Sequence, residues 1–150
     1  MAPQRSQRVT EDLCVSLWPS VVLLLTLLPV PHARADDADN YVMHCRGCHG
    51  PQGQGAPGGA PDLRDSVGRF LLVPGGREYL IRVPGTSDSE LDDAQTAALL
   101  NWMVREFGPA SVAADFVPFT TAEVTAHRRP PLLDVAATRA ALLSALAAQR

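Results

Sequence analysis

Residues 45–49 read Cys45-Arg46-Gly47-Cys48-His49, and no other stretch limits the possible folds so sharply. Two thiols three residues apart, followed at once by an imidazole, admit four uses: a disulfide, a redox dithiol, a metal site or attachment of a haem. A disulfide this short closes so small a loop that it stabilises little. A thioredoxin-like dithiol needs a βαβ setting, and no strand-like run precedes Cys45. A closed zinc site needs four ligands, usually with a second cysteine pair. The third cysteine of the chain, Cys14, lies near the N terminus, and the next histidine after His49 is His127, alone.

Covalent haem gives all five positions a part. Thiols at i and i+3 stand on one side of a helical turn and can add to the two vinyl groups of the porphyrin. The histidine at i+4 then lies beside the ring and can offer a nitrogen to the iron. Cys45 and Cys48 are therefore the candidate attachment points for one haem c per chain, and His49 is the candidate iron ligand.

Such attachment is made outside the cytoplasm in bacteria, and the N terminus agrees. Arg5 and Arg8 start the chain, an apolar stretch runs from Leu13 to Val30, and Ala33-Arg34-Ala35 precedes the acidic Asp36-Asp37. Basic region, apolar region and small-x-small site are the three parts of a secretory signal. Residues 1–35 are read as a cleavable signal, with a retained membrane anchor as the alternative. Pro19 and Pro29 interrupt the apolar run, which argues against a bilayer span. Glu11 and Asp12 are atypical of such a signal. Cys14 precedes the apolar run, where a lipoprotein cysteine would follow it. The expected location is periplasmic.

Composition sets the scale of what remains. The 150 residues are 46% apolar and 19% charged with a net charge of −3, an ordinary globular balance that makes nucleic acid a poor partner. Aromatics are only 5% against 11 glycines and 13 prolines, so the core is thin and the loops are many. One domain with appendages fits this length.

Beyond the pentapeptide, residues 37–107 resemble the class I cytochrome c family. Tyr41 stands where the family has an aromatic on its first helix. Gly50-Pro51-Gln52-Gly53-Gln54-Gly55 and then Gly59-Ala60-Pro61-Asp62-Leu63 match its glycine-rich segment and small-Pro-polar-Leu turn. Residues 91–103 look like its last core helix. There Asp92 and Gln95 form a capping box, Ala94, Ala98 and Trp102 with Ala97, Leu100 or Met103 fall on one face, and Gly108-Pro109 ends the helix. The resemblance implies an all-α fold, a small helical domain around one covalent haem over residues 36–108 with a helical C-terminal extension over 109–150. It also implies that the Pro61 carbonyl orients His49.

One departure stands out. The family usually takes a methionine as sixth iron ligand from the loop before the last core helix. Here that loop, residues 82–90, reads Arg-Val-Pro-Gly-Thr-Ser-Asp-Ser-Glu, without methionine or histidine. Met43 and His44 directly precede the attachment motif and are poorly placed for the opposite face of the ring. Met103 is the sharper candidate for sixth ligand, set against the commoner role of a gap-filling core residue. His127 reads as a solvated histidine. An iron with an open sixth position, able to take CO, is the remaining alternative.

Phe70, Leu71 and Leu72 suit a pocket wall, as do Tyr79, Leu80 and Ile81. Arg69, Arg77 and Arg82 are either partners for haem propionates or surface charges, and Gly75-Gly76 is a turn. In the tail, Thr120 with Glu123 suggests a capping box, Arg128-Arg129-Pro130-Pro131 a break, and Asp134 the cap of a helix to about Ala148 with Val135, Thr138, Leu142 and Leu146 as one stripe. The tail either packs back on the haem domain or forms a docking surface, packing back being the default.

The functional expectation is a single-electron carrier between periplasmic redox proteins, with a dehydrogenase or oxidase as donor or acceptor. No nucleophile–base pair or carboxylate pair marks an enzyme. The alternatives are a haem enzyme or gas-binding sensor with an open iron site, or a cytochrome subunit held permanently by a dehydrogenase.

Overall fold

The computed structural model describes residues 36–64 and 66–149, so the signal read in residues 1–35 lies outside the described residues. The described residues form seven α-helices and one 3-10 turn, with no strand among them. All of them fall within one compact unit, Ala35–Arg150.

Helix α1 spans Asp37–His44. The Asp36 carboxylate caps it by accepting from the Asp39 amide at 2.8 Å, and Asp37 and Asp39 lie at the positive end of its dipole. At Cys45 the backbone leaves helical geometry (φ −123°), and one further turn, α2 (Arg46–His49), ends at Gly50 with φ +77°. A glycine-rich loop leads to a 3-10 turn at Arg69–Leu72. Helix α3 (Gly76–Arg82) starts from left-handed Gly75, and the single turn α4 (Pro84–Ser87) follows.

Helix α5 (Asp93–Phe107) is the longest element. Its Asp92–Gln95 capping box is complete, with bonds of 2.7 and 3.0 Å, and Gly108 is its C-cap. It crosses α1 through aromatic rings. Tyr41 lies 5.5 Å from Trp102 and 4.9 Å from Phe107, and Trp102 meets Phe107 edge-on at 5.5 Å. Such tilted contacts are the favoured geometry for ring quadrupoles. The buried face runs through Thr96, Ala97, Leu99, Leu100, Met103, Val104 and Phe107. The expected Ala94–Ala98–Trp102 row is rotated off that face: Ala94 is exposed, and Ala98 and Trp102 sit on its margin. The elements packed on α5, α1 and α6 above all, decide which face is buried.

Residues beyond 108 are built into this core. Helix α6 spans Thr121–His127 and α7 spans Val135–Ala147. Asn101 donates to the Phe119 carbonyl at 2.9 Å and accepts from the Phe119 amide at 2.7 Å, pinning the chain that enters α6 against α5. Phe119, Val124 and Leu142 are buried in the common core. The capping box expected at Thr120 is only half made. The Thr120 hydroxyl accepts from the Glu123 amide at 3.1 Å, but the Glu123 carboxylate is held by Arg77. The α7 stripe is as expected, with Leu142 buried and Val135, Thr138 and Leu146 half-buried.

Candidate functional site

Cys45 is the hinge between α1 and α2, so the first thiol lies at the end of a capped helix and the second one turn later. The Cys48 and His49 amides both return to the Cys45 carbonyl, at 3.2 and 3.0 Å, which keeps the turn closed. Both cysteines are free, Cys45 packed against the core and Cys48 exposed. Burial pushes the Cys45 thiol up to about 11, with the neighbouring Cys48 adding to the shift. Nothing lies within 4 Å of the point where a side chain on Gly47 would begin, so the turn between the thiols is bare on that side.

The His49 ring is fixed from one side. Its Nδ1 lies 2.9 Å from the Pro61 carbonyl oxygen, a bond that requires Nδ1–H and leaves Nε2 free as an acceptor. The loop between them is shaped for this approach. The Gly55 amide donates to the His49 carbonyl at 2.7 Å and the Leu63 amide to the Gly53 carbonyl at 2.7 Å, bringing Pro61 back over the imidazole. Gly55 has φ +67°, and a Cβ there would meet the Ala60 carbonyl oxygen at 2.5 Å. Tyr41 closes the other end, its hydroxyl donating to the Gly50 carbonyl at 2.6 Å.

Next to Cys45 lies a narrow cleft. The α5 side contributes Thr96, Leu99, Leu100 and Met103, and residues 85–91 contribute Gly85, Thr86, Ser89 and Leu91; His44 completes the lining. Met103 is thus brought beside Cys45, within the α5 stripe and only 8% exposed. His44, set aside on sequence grounds, faces the same cleft, whereas Met43 is 75% exposed. His127 sits exposed at the end of α6. A wider groove of about 510 Å³, lined by Ala38, Val42, Pro51, Trp102 and Glu106 among others, includes none of Cys45, Cys48 or His49.

The arginines divide differently from expectation. Arg77 is engaged by the tail, with two bonds of 2.7 Å to the Glu123 carboxylate, one of 2.7 Å to the Val117 carbonyl, and its guanidinium 4.1 Å above the Phe119 ring. Arg82 binds Glu78 at 2.7 Å and the Pro130 carbonyl at 3.0 Å. Both therefore serve the fold through the tail, and Arg69 alone of the three remains exposed. Phe70 is buried against Tyr79 at 5.0 Å, while Leu72 is half exposed.

Arg128 was legible only as part of a helix break. Its buried guanidinium donates to the carbonyls of Ser87 (2.9 Å), Leu91 (2.6 Å) and Ser89 (2.6 Å) and pairs with Asp93 at 3.0 Å. It holds the segment that borders the cleft. Asp93, bonded by Thr125 and then by Arg128, is kept below the usual carboxylate range. No local pattern announces this role, because the main acceptors are backbone oxygens about forty residues away in sequence.

No protein-family model matches the chain. Two relatives do, both named cytochrome c-552 and both from Thermus thermophilus. The first is 37% identical over 118 residues, covering 67% of this chain and 79% of the relative. The second is 37% identical over 117 residues, covering 66% and 88%. As 118 aligned positions take in only 67% of 150 residues, the relative has positions for which this chain has none.

Proposed function

The chain belongs to the class I c-type cytochromes, and on that premise we propose that it carries single electrons outside the cytoplasm, on one haem c bonded to Cys45 and Cys48 with His49 on the iron. Cytochromes of this kind are electron carriers and not enzymes. The observation that carries the assignment of residues is the 2.9 Å contact between His49 Nδ1 and the Pro61 carbonyl, beside two free thiols one helical turn apart. When bound, the haem supplies a one-electron ferric/ferrous couple.

The residues of the chain do the rest. The Pro61 carbonyl holds the His49 proton on Nδ1, keeps Nε2 available and makes the imidazole a better donor. Tyr41, Trp102 and Phe107 anchor α1 on α5, so the attachment turn is held by rigid elements. Leu99, Leu100 and Met103 exclude water beside Cys45, and a low local dielectric limits the rearrangement that accompanies a change of charge. Cys48 and its exposed neighbours Arg46 and Gly47 leave the attachment edge near solvent, where electrons can enter and leave. The partners are redox proteins of the same compartment, a dehydrogenase or oxidase as donor and acceptor. Residues 1–35 serve as the export signal, and residues 109–150 serve as a brace for the haem domain.

The test is purification from a host able to attach haem c. Mature protein with the mass of one haem added, haem that survives denaturation, and a start at Asp36 are expected. Replacement of both Cys45 and Cys48 by alanine abolishes the covalent haem. Protein that carries no covalent haem from such a host overturns the proposal.

A further inference from the structure

The groove of about 510 Å³ lies between the outer face of α1 and the last turns of α5, off the attachment turn. That volume is within the ~300–1,000 Å³ of ligand-sized clefts. Tyr41, Trp102 and Phe107 give it aromatic surface, and Pro51 and Pro109, both exposed, add rigid apolar surface. Trp102 is half-buried, so part of its ring faces the groove unpacked.

The charges around the groove are one-sided. Glu106 follows Trp102 by four residues, so carboxylate and indole share one face of α5, and both line the groove. Glu106 is exposed, and no hydrogen bond or ion pair holds it among the described residues. It stands in the last turn of α5, where the helix dipole disfavours an anion. No contact within the fold offsets that placement. Arg64 also lines the groove, but its guanidinium is forked onto the Asp62 carboxylate, the closest contact being 2.6 Å. Arg105 lies 5.9 Å from the centre of the Phe116 ring. Asp37 and Asp39 flank groove-lining Ala38 in the first turn of α1. The groove is therefore apolar in its walls and acidic in its balance of charge.

A side chain that can lie flat on an indole and pair with a carboxylate one turn away is a guanidinium. Its plane stacks on the ring, and its fork matches the two carboxylate oxygens. The aromatic and proline surface beside it suits a chain already held extended. Proline-rich segments dock on such surfaces as polyproline II helices and lose little entropy in doing so.

We propose that this groove binds an arginine-bearing, proline-rich segment of a partner protein, with the arginine on Trp102 and paired to Glu106. None of Cys45, Cys48 or His49 lines the groove, so a segment seated there leaves these side chains to their own work. The site is a tether in addition to an electron carrier, and it does not depend on the haem.

The experiment uses the full-length chain as purified from a host that attaches haem c. It is titrated in low salt with the acetylated peptide Pro-Pro-Arg-Pro-Pro-amide and followed by heteronuclear NMR in reducing buffer. Expected are shifts confined to groove residues, with the Trp102 indole and the Val42 amide foremost. The same peptide with glutamate in place of arginine should bind about tenfold more weakly, a loss of about 1.4 kcal/mol. Glu106→Arg should reverse that preference, which a merely structural role for Glu106 would not produce. Glu106→Gln, of the same shape, should weaken the arginine peptide even if the reversal disturbs α5. No shifts at millimolar peptide, shifts elsewhere, or equal affinity for the two peptides overturns the proposal. Self-association of the chain that Glu106→Arg abolishes also overturns it, by assigning the groove to a second copy.

Discussion

Arg128 and Leu91 meet across the gap between the tail and the cleft-bordering segment, Nη1 donating to the carbonyl oxygen at 2.6 Å with Arg128 only 8% exposed. The same guanidinium serves Ser87 and Ser89, so three backbone oxygens depend on one side chain. Removing it leaves buried acceptors without donors, the costlier half of hydrogen-bond energetics. Arg128→Ala should destabilise the haem-loaded protein by about 3 kcal/mol in urea unfolding. Arg128→Lys should recover only a minor part, because an ammonium lacks the planar fork that reaches three carbonyls at once. Equal stability of Arg128→Ala and the native chain would contradict this account.

Arg77 and Glu123 form a two-pronged pair at 2.7 Å, each side chain about a quarter exposed. The Arg77 guanidinium holds the Glu123 carboxyl below its ordinary value of 4.5, overcoming the opposite pull of burial. A depressed carboxylate contributes stability above its unfolded-state value and loses that contribution as pH falls through the folded-state value. The protein should therefore lose stability in acid below about pH 4.5, and Glu123→Gln should flatten that part of the profile while lowering stability near pH 7. Melting temperatures of both proteins between pH 3 and 7 make the comparison, with the range chosen to bracket the carboxylate.

Gly55 shapes the loop that carries Pro61 to His49. At φ +67°, alanine adopts the backbone only with strain, and its Cβ would stand 2.5 Å from the Ala60 carbonyl oxygen. Gly55→Ala should cost about 2 kcal/mol or more and lower the yield of haem-loaded protein, by moving the Pro61 carbonyl away from Nδ1. Gly47→Ala, where nothing lies within 4 Å, serves as the benign comparison. Equivalent yields from the two variants would sink the assigned role of the loop.

The crossing of α1 and α5 separates a hydrogen bond from a packing contribution at neighbouring sites. Tyr41→Phe keeps the ring between Trp102 and Phe107 and loses only the 2.6 Å bond to the Gly50 carbonyl. It should cost about 1 kcal/mol. Trp102→Ala removes two ring contacts and should cost about 3 kcal/mol, since Trp102 is only partly buried. Chemical denaturation of the haem-loaded variants reads both, and a Tyr41→Phe loss as large as that of Trp102→Ala would refute the partition.

The caps at Asp92 and Asp134, the stop at Gly108 and the attachment turn were all legible in the sequence. Each is decided within one helical turn, where spacing along the chain equals proximity in space. The half-formed box at Thr120 shows the limit. Its local pattern was complete, but Glu123 binds Arg77 more strongly than it could bind a backbone amide, and Arg77 is 46 residues away. The rotated face of α5 shows a second limit. Alanines at helical spacing mark an apolar stripe, yet burial follows where α1 and α6 press on the helix.

By itself the sequence determined the chemistry available, two thiols and an imidazole on one turn, which follows from covalent spacing and side-chain type; the all-helical fold and the return of Pro61 to the histidine were what the family resemblance implied. Only the tertiary structure decided that the tail is part of the core, that Arg128 clamps the segment beside the cleft and that Met103 sits beside Cys45. These depend on backbone carbonyls and packing faces far apart in sequence, and a carbonyl looks the same at every position of the chain.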